Sequence, residues 1–413
     1  DPALCVACKA ARMLCGYDPC PLLQRVEHHL PKVAVRGRDL LGSSPPSLFV
    51  GRRGYPKVLV GPMLPPEHRE DAAARALDDP RGWMDLQIPD VVGIRSSLLR
   101  TTHAVRVDAA AAPGDAMSDD PVLRLSQELA VAARPVDTEV RLARVPRFTS
   151  ERVADFEMPH GPTAELEKAA LVQNPRVERP VERVTQDTDM RAADGLVELY
   201  RGGTDRYHLE RILSAGMLGL QRKRRLVPTR WAITATDDTV GEALRKEVLA
   251  HSSVDKPEYR YAERFGNRFH VLLLPGPWGL DLAEAWMGGF WARGTWQVEE
   301  DFEGPAGRTT YAATAGGYYA TKVSVLEHLA ERRRQATALV VREVTPAYTT
   351  PLGVWVVRET TRLAMQQRPL VFEDVEAALA HMDRHAQLKP WRVHMRLLRA
   401  MRTQTRLDAF GSA

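Results

Sequence analysis

Four cysteines stand at Cys5, Cys8, Cys15 and Cys20, and the 413-residue chain contains no other. A Cys-x2-Cys pair turns two thiolates toward one ion, and a second pair a few residues on completes the tetrahedron that zinc prefers. The expected site is structural zinc, because four protein ligands leave no coordination position open for catalysis. An iron–sulfur cluster also takes four cysteines, and two disulfides are the rival that an oxidising compartment would favour. Asp1 to Ala10 lack the charged start and apolar centre of a secretory signal, so reduced thiols are expected. His28 and His29 read as surface or capping residues rather than ligands.

At the far end, Gln404, Leu407 and Phe410 follow the register of peptides that dock on the ring-shaped DNA sliding clamp. The glutamine amide enters a small polar pocket, and one turn of 3₁₀ helix brings the aliphatic and aromatic side chains to one side, where they plug an apolar pocket. Gly411 stands where a second aromatic is usual, so moderate affinity is expected. Just before this peptide, Arg392, Arg396, Arg399, Arg402 and Arg406 recur at the spacing of one helical stripe. Such a stripe serves either as a solvated face or, leading into a clamp peptide, as a contact along the DNA backbone; Arg396 and Arg399 are the nucleic-acid candidates here. A second cationic group, Arg222-Lys223-Arg224-Arg225, reads as an exposed loop. Four adjacent cations repel one another unless an anion sits nearby, which makes phosphate contact the functional reading.

One further constellation suggests an enzyme. Arg201 closes a predicted strand at 199–202, Thr234 lies on another at 232–236, and Glu359 ends a third at 354–359. This order looks like that of ADP-ribosyltransferases. There the arginine would hold phosphate of NAD, the hydroxyl strand would fix the nicotinamide side, and the carboxylate would stabilise the ribosyl cation. Asp237 and Asp238 read as helix caps before Thr239 rather than as metal ligands. The aromatic stretch Trp286, Phe290, Trp291 and Trp296 reads as core more than as a base-stacking surface.

The elements that must position these groups are mixed. Hydrophobic residues make up 44% and charged residues 27%, as in ordinary globular proteins, and no apolar run spans a bilayer. Net charge is +4, with nine lysines among the 57 Lys and Arg; that arginine bias suits phosphate contact and suits a GC-rich genome equally well. The expected fold class is α+β, a two-part α/β architecture preceded by a small zinc module. The expected partition is a cysteine module over 1–35, an α/β region over 36–158, a second over 159–402 and a docking tail over 403–413. Periodicity predicts helices over 205–215, 239–250 and 318–334, and strands over 137–147, 268–274, 338–343 and 353–358. Residues 108–121 read as an exposed loop and 159–194 as a crossing segment or helix pair. A cytoplasmic, nucleoid-associated protein without membrane contact is expected.

The four-cysteine start, the stretch from Ser43 to Pro62 containing Phe49-Val-Gly-Arg-Arg-Gly-Tyr-Pro-Lys57, the stretch Pro228-Thr-Arg-Trp-Ala-Ile-Thr-Ala-Thr-Asp-Asp238, Gly316-Gly-Tyr-Tyr319 and the terminal Gln404 to Phe410 together resemble the archaeal Nre family of DNA repair proteins. The resemblance runs over essentially the whole chain. It implies a role in DNA damage repair, an N-terminal zinc module and interaction with the clamp PCNA.

Overall fold

The computed structural model describes residues 1–10, 12–17, 20–27, 35–146 and 157–403, with backbone alone at 25–27 and 402–403. Two compact units emerge. The first comprises Tyr17–Val240 with Pro351–Gly353; the second comprises Asp1–Gly16, Gly241–Thr350 and the chain from Val354.

The chain opens with α1 (Pro2–Cys8), which belongs to the second unit. The first unit then holds α2 (Pro21–Glu27), β1 (Asp39–Ser44), β2 (Leu48–Val50), β3 (Lys57–Leu64), α3 (Asp71–Ala76), α4 (Ile88–Ser96), β4 (Leu99–Arg106), α5 (Pro121–Val131), β5 (Val136–Leu142), β6 (Thr163–Leu171), α6 (Arg179–Gln186), α7 (Ala192–Arg201) and α8 (Arg206–Ser214). Its strands form one sheet in the order β1-β5-β6-β4-β3-β2, antiparallel except where β4 pairs with β6. Alternation in β5 is as the sequence predicts: Val136, Thr138, Val140 and Leu142 are buried, and Glu139 and Arg141 face out. One core gathers Val58, Val60 and Val105 of the sheet with Leu123 of α5, Val181 of α6, Leu199 of α7 and Ile212 of α8. Gly61 is held to glycine by contact, since a Cβ there would sit 2.4 Å from the Thr101 carbonyl oxygen.

Helix α9 (Thr229–Val248) begins in the first unit. The second unit continues with β7 (Glu258–Arg264), β8 (Asn267–Leu274), β9 (Gly279–Met287), β10 (Trp296–Glu303), α10 (Gly316–Glu331), β11 (Thr337–Val344), α11 (Trp355–Gln366), β12 (Leu370–Val371), α12 (Val375–His385) and α13 (Arg396–Thr403). Its sheet runs β10-β9-β11-β8-β7-β12, parallel only between β9 and β11. β9 and β11 are buried along their whole length, which explains their near-continuous apolar runs. One face packs Leu272, Ala285 and Leu339 against Leu379 and Met382 of α12 and Leu398 of α13. Ion pairs cross the interior: Glu284 is fully buried, 2.9 Å from Lys9 Nζ and 2.5 Å from Arg342 Nη1. Burial works against that carboxylate, but Lys9 and Arg342 outweigh it and hold its pKa below the ordinary range. Gly317 lets α10 start beside this group, because a Cβ would lie 2.4 Å from Glu284 Oε1.

The α+β class holds, and so do the helices expected near 205–215 and 318–334 and the strands near 268–274 and 338–343. Three strands do not. Residues 199–202 end α7, 232–236 lie inside α9, and 353–358 lead into α11. Their β-branched and aromatic content favours strands, yet in α9 and α11 two threonine hydroxyls find helical partners: Thr236 Oγ1 donates to the Ala232 carbonyl and Thr361 Oγ1 to the Val357 carbonyl, both at 2.8 Å. The segment read as a crossing or helix pair contributes β6 as well as α6. The expected loop at 108–121 is partly interior, with Ala110, Ala112, Ala116 and Ser118 buried. Asp237 sits within α9 rather than at its cap, paired with Arg206 at 2.5 Å.

Candidate nucleic-acid interface

In the first unit, two stretches distant in sequence meet around one pair of aromatic rings. The first is the turn between β2 and β3, Gly51-Arg-Arg-Gly-Tyr-Pro-Lys57. Lys57 N donates to the Gly54 carbonyl at 2.9 Å, and Gly54 adopts a φ of +76°, which favours glycine. The turn leaves Tyr55 50% exposed. The second stretch enters α9, where Trp231 N donates to the Pro228 carbonyl at 2.7 Å and the indole is 45% exposed. Val50 N donates to Thr229 Oγ1 at 2.9 Å, tying β2 to the first residue of α9. Tyr55 and Trp231 then lie with centroids 5.3 Å apart and planes tilted by 54°.

Backbone contacts extend this surface into a basic rim. Lys57 opposes Arg106 across β3 and β4. Val107 N donates to the Pro56 carbonyl at 2.9 Å, and Leu226 N donates to the Val107 carbonyl at 2.8 Å, so the 222–225 loop is stitched beside the turn. Arg53, Lys57, Arg222, Lys223 and Arg225 are exposed and Arg52 is half-buried. Across residues 51–57, 106–108 and 221–231 the sequence contains one carboxylate, Asp108. Arg106 grips it with two hydrogen bonds of 3.1 Å, which hold the Asp108 pKa below the ordinary carboxylate range. The face therefore offers cations without a competing free acid from these segments.

Arg224 departs from the expectation for its loop. It is 1% exposed and donates to the carbonyls of Gly219, Ala116 and Asp187, at 3.0, 2.9 and 2.8 Å. Burial lowers its pKa. It fastens the loop from within, while Arg222 and Lys223 are exposed, as is Arg225, whose Nη1 donates to the Arg222 and Arg224 carbonyls at 3.1 and 2.7 Å.

The same unit holds a partly open pocket of about 60 Å³, walled by Phe49, Met63, Tyr207, Arg211, Thr229 and Ile233 among others. That space suits roughly four water molecules. On its wall Arg95 is buried and donates to Asp78 at 2.8 Å and to the Pro159 carbonyl at 3.0 Å. Burial lowers the Arg95 pKa, with Asp78 acting against that shift.

The profiles described as archaeal Nre, N-terminal, and archaeal Nre, C-terminal, match residues 14–292 and 303–410. The chain belongs to the archaeal Nre family. DNA repair protein NreA of Archaeoglobus fulgidus is 39% identical over 389 residues, covering 94% of this chain and 95% of that protein. DNA repair protein NreB of the same organism is 36% identical over 93% of each chain. DNA repair protein NreA of Haloferax volcanii is 42% identical over 80% of this chain and 79% of its own. No solved structure matches the chain.

In this Nre chain none of the four cysteines forms a disulfide. Cys5 and Cys8 lie three residues apart on α1, which places them on one face; Cys8 is buried, Cys5 and Cys20 are half-buried and Cys15 is exposed. A set of four thiols has the donor chemistry of a structural zinc site, but among the described residues no three His, Cys, Asp or Glu groups converge on one point. Arg396 and Arg399 are exposed on α13; Arg396 lies 4.9 Å over the Phe302 ring, and Arg392 is paired with Asp383 and Glu376. Arg201 is exposed at the end of α7, Thr234 is buried in α9, and Glu359 is buried in α11, accepting from Arg362 at 2.8 Å. These positions are helical, so the strand order behind the transferase reading is not found at them. Gln404, Leu407 and Phe410 lie outside the described residues. Among the described residues, no helix is long and apolar enough to cross a membrane. Tyr55 and Trp231 were not singled out from sequence; the signal was an aromatic inside each of two arginine-bearing stretches.

Proposed function

We propose that this chain is a DNA-repair protein that meets DNA through the basic, ring-bearing face of its first unit and is recruited by the sliding clamp PCNA through Gln404, Leu407 and Phe410. The observation that carries the reading is the likeness, over almost the whole chain, to archaeal proteins named for DNA repair. The cationic turn and loop around Tyr55 and Trp231 support contact with DNA, and the register of the terminal peptide supports clamp docking. Zinc bound by Cys5, Cys8, Cys15 and Cys20 would order the N-terminal segment. ADP-ribosyl transfer at Arg201, Thr234 and Glu359 forms no part of the proposal, since all three sit on helices.

Calorimetric titration of the cognate clamp tests recruitment. Phe410→Ala is expected to weaken binding about thirtyfold, the ~2 kcal/mol of an emptied aromatic anchor, with an unchanged melting temperature. Gly411→Phe is expected to tighten it. Equal affinity for Phe410→Ala and the parent would overturn clamp docking through this peptide. Elemental analysis bears on the metal: one zinc per chain, lost in Cys8→Ser, is the expected result, and stoichiometric iron or no metal would remove zinc from the proposal.

A further inference from the structure

We propose that Tyr55 and Trp231 form a stacking platform for the unpaired bases of single-stranded nucleic acid, whose phosphates run along Arg52, Arg53, Lys57, Arg222, Lys223 and Arg225. This rests on the nucleic-acid role proposed above and specifies its substrate form. Two large rings half-open to solvent forgo burial that a purely structural pair would seek. Their tilt of 54° keeps them from covering each other's faces, which leaves ring surface for a ligand. The segments that carry them are tied down, through the closed Gly54 turn and the Val50–Thr229 hydrogen bond, so little conformational freedom is lost when a base lands.

The rim names the partner's charge. The three segments that build the face contribute a row of cations and one acid already engaged by Arg106, so the complementary surface is a polyanion rather than a typical protein patch. The rings then decide its form. In a duplex each base is covered by its neighbours, whereas a single strand offers free base faces that stack on aromatic side chains with little regard to sequence. Stacking does not read the sugar, so DNA and RNA strands are both expected to bind.

The experiment uses the full chain and measures anisotropy of labelled 20-nucleotide strands of thymidylate and of uridylate, and of a 20-base-pair duplex. Each of Tyr55→Ala and Trp231→Ala is expected to weaken single-strand binding about tenfold or more, and the double variant about a hundredfold, with smaller effects on the duplex. Tyr55→Phe with Trp231→Phe keeps the rings and should bind near the parent level, which separates loss of stacking from loss of fold. Lys57→Gln should lower the salt dependence by about one phosphate contact, a change the ring variants should not make. A double alanine variant that binds single strands as the parent does would overturn the platform while leaving the proposed DNA role standing. Equal loss on duplex and single strand would overturn it too. A parent protein that binds no nucleic acid would overturn both the platform and the DNA-contacting face.

Discussion

In the first unit, cations at Lys57, Arg222 and Lys223 lie at the surface beside two half-open rings, whereas in the second unit a set of charges lies inside and is paired. There Lys322, 1% exposed, bridges Glu242 and Glu303, the latter also accepting from Trp278 Nε1 at 3.0 Å. Glu258 takes both Arg260 and Arg332, and Glu284 takes Lys9 and Arg342. A buried charge with every partner in place fixes the geometry around it and has nothing left to offer a ligand. Charge and aromatic content therefore do not locate function by themselves; exposure does. Trp286 and Trp291 of the second unit are rich in ring surface yet fully interior, while Trp231 is open.

Breaking a buried pair should have the largest effect on stability. Lys322→Met strands Glu303 in the interior and is expected to cost about 3–5 kcal/mol in denaturant melts, with single-strand binding by the folded fraction unchanged. The contrast sharpens inside one loop of the first unit. Arg224→Met leaves three carbonyls unpaired and should cost about 2–3 kcal/mol, while Arg222→Gln should shift stability by less than ~0.5 kcal/mol and weaken nucleic-acid binding instead. An Arg224 variant that melts like the parent would erase the distinction.

A smaller effect follows from pH. Burial, helped by Arg211, pushes the His208 pKa down to about 3 in the first unit, and burial pushes His328 down to about 4 in the second. Each folded value lies below the ordinary value near 6.5, so the unfolded chain binds the proton more readily. The stability held by the neutral ring is complete above pH 6.5 and is lost as pH falls toward the folded value. For His208 the loss between pH 7 and pH 5 is about 2 kcal/mol. Urea melts at the two pH values should show His208→Gln losing that much less than the parent; an identical pH dependence would mean that the ring takes up its proton as readily in the fold as in the unfolded chain.

Legibility in the sequence followed burial and range. β8, β11 and β5 could be read because apolar runs or strict alternation record which faces are covered, and α8 and α10 because their apolar positions recur at helical spacing. Ile233-Thr-Ala-Thr236 and Val354-Trp-Val-Val357 misled because a helix buried on most sides has a strand-like composition; Val356, Val357 and Arg358 are all interior. The core assignment holds for Trp286 and Trp291, while Trp296 is 52% exposed on the edge strand β10. The stacking pair was illegible for a different reason: no local pattern announces that a turn after β2 will meet the start of α9. Only the fold brings Tyr55 to Trp231.

Lys9 shows how the order of synthesis differs from the order of assembly. Its buried partner Glu284 lies 275 residues later. At ~5–20 residues per second, a ribosome takes roughly 15–55 s to supply that partner, and the chain of the first unit emerges meanwhile. Helix α1 therefore waits, its amine solvated, until β9 exists. A segment made early is among the last to be placed, and closure of the second unit is a long-range event whose rate is governed by chain search rather than by local propensity.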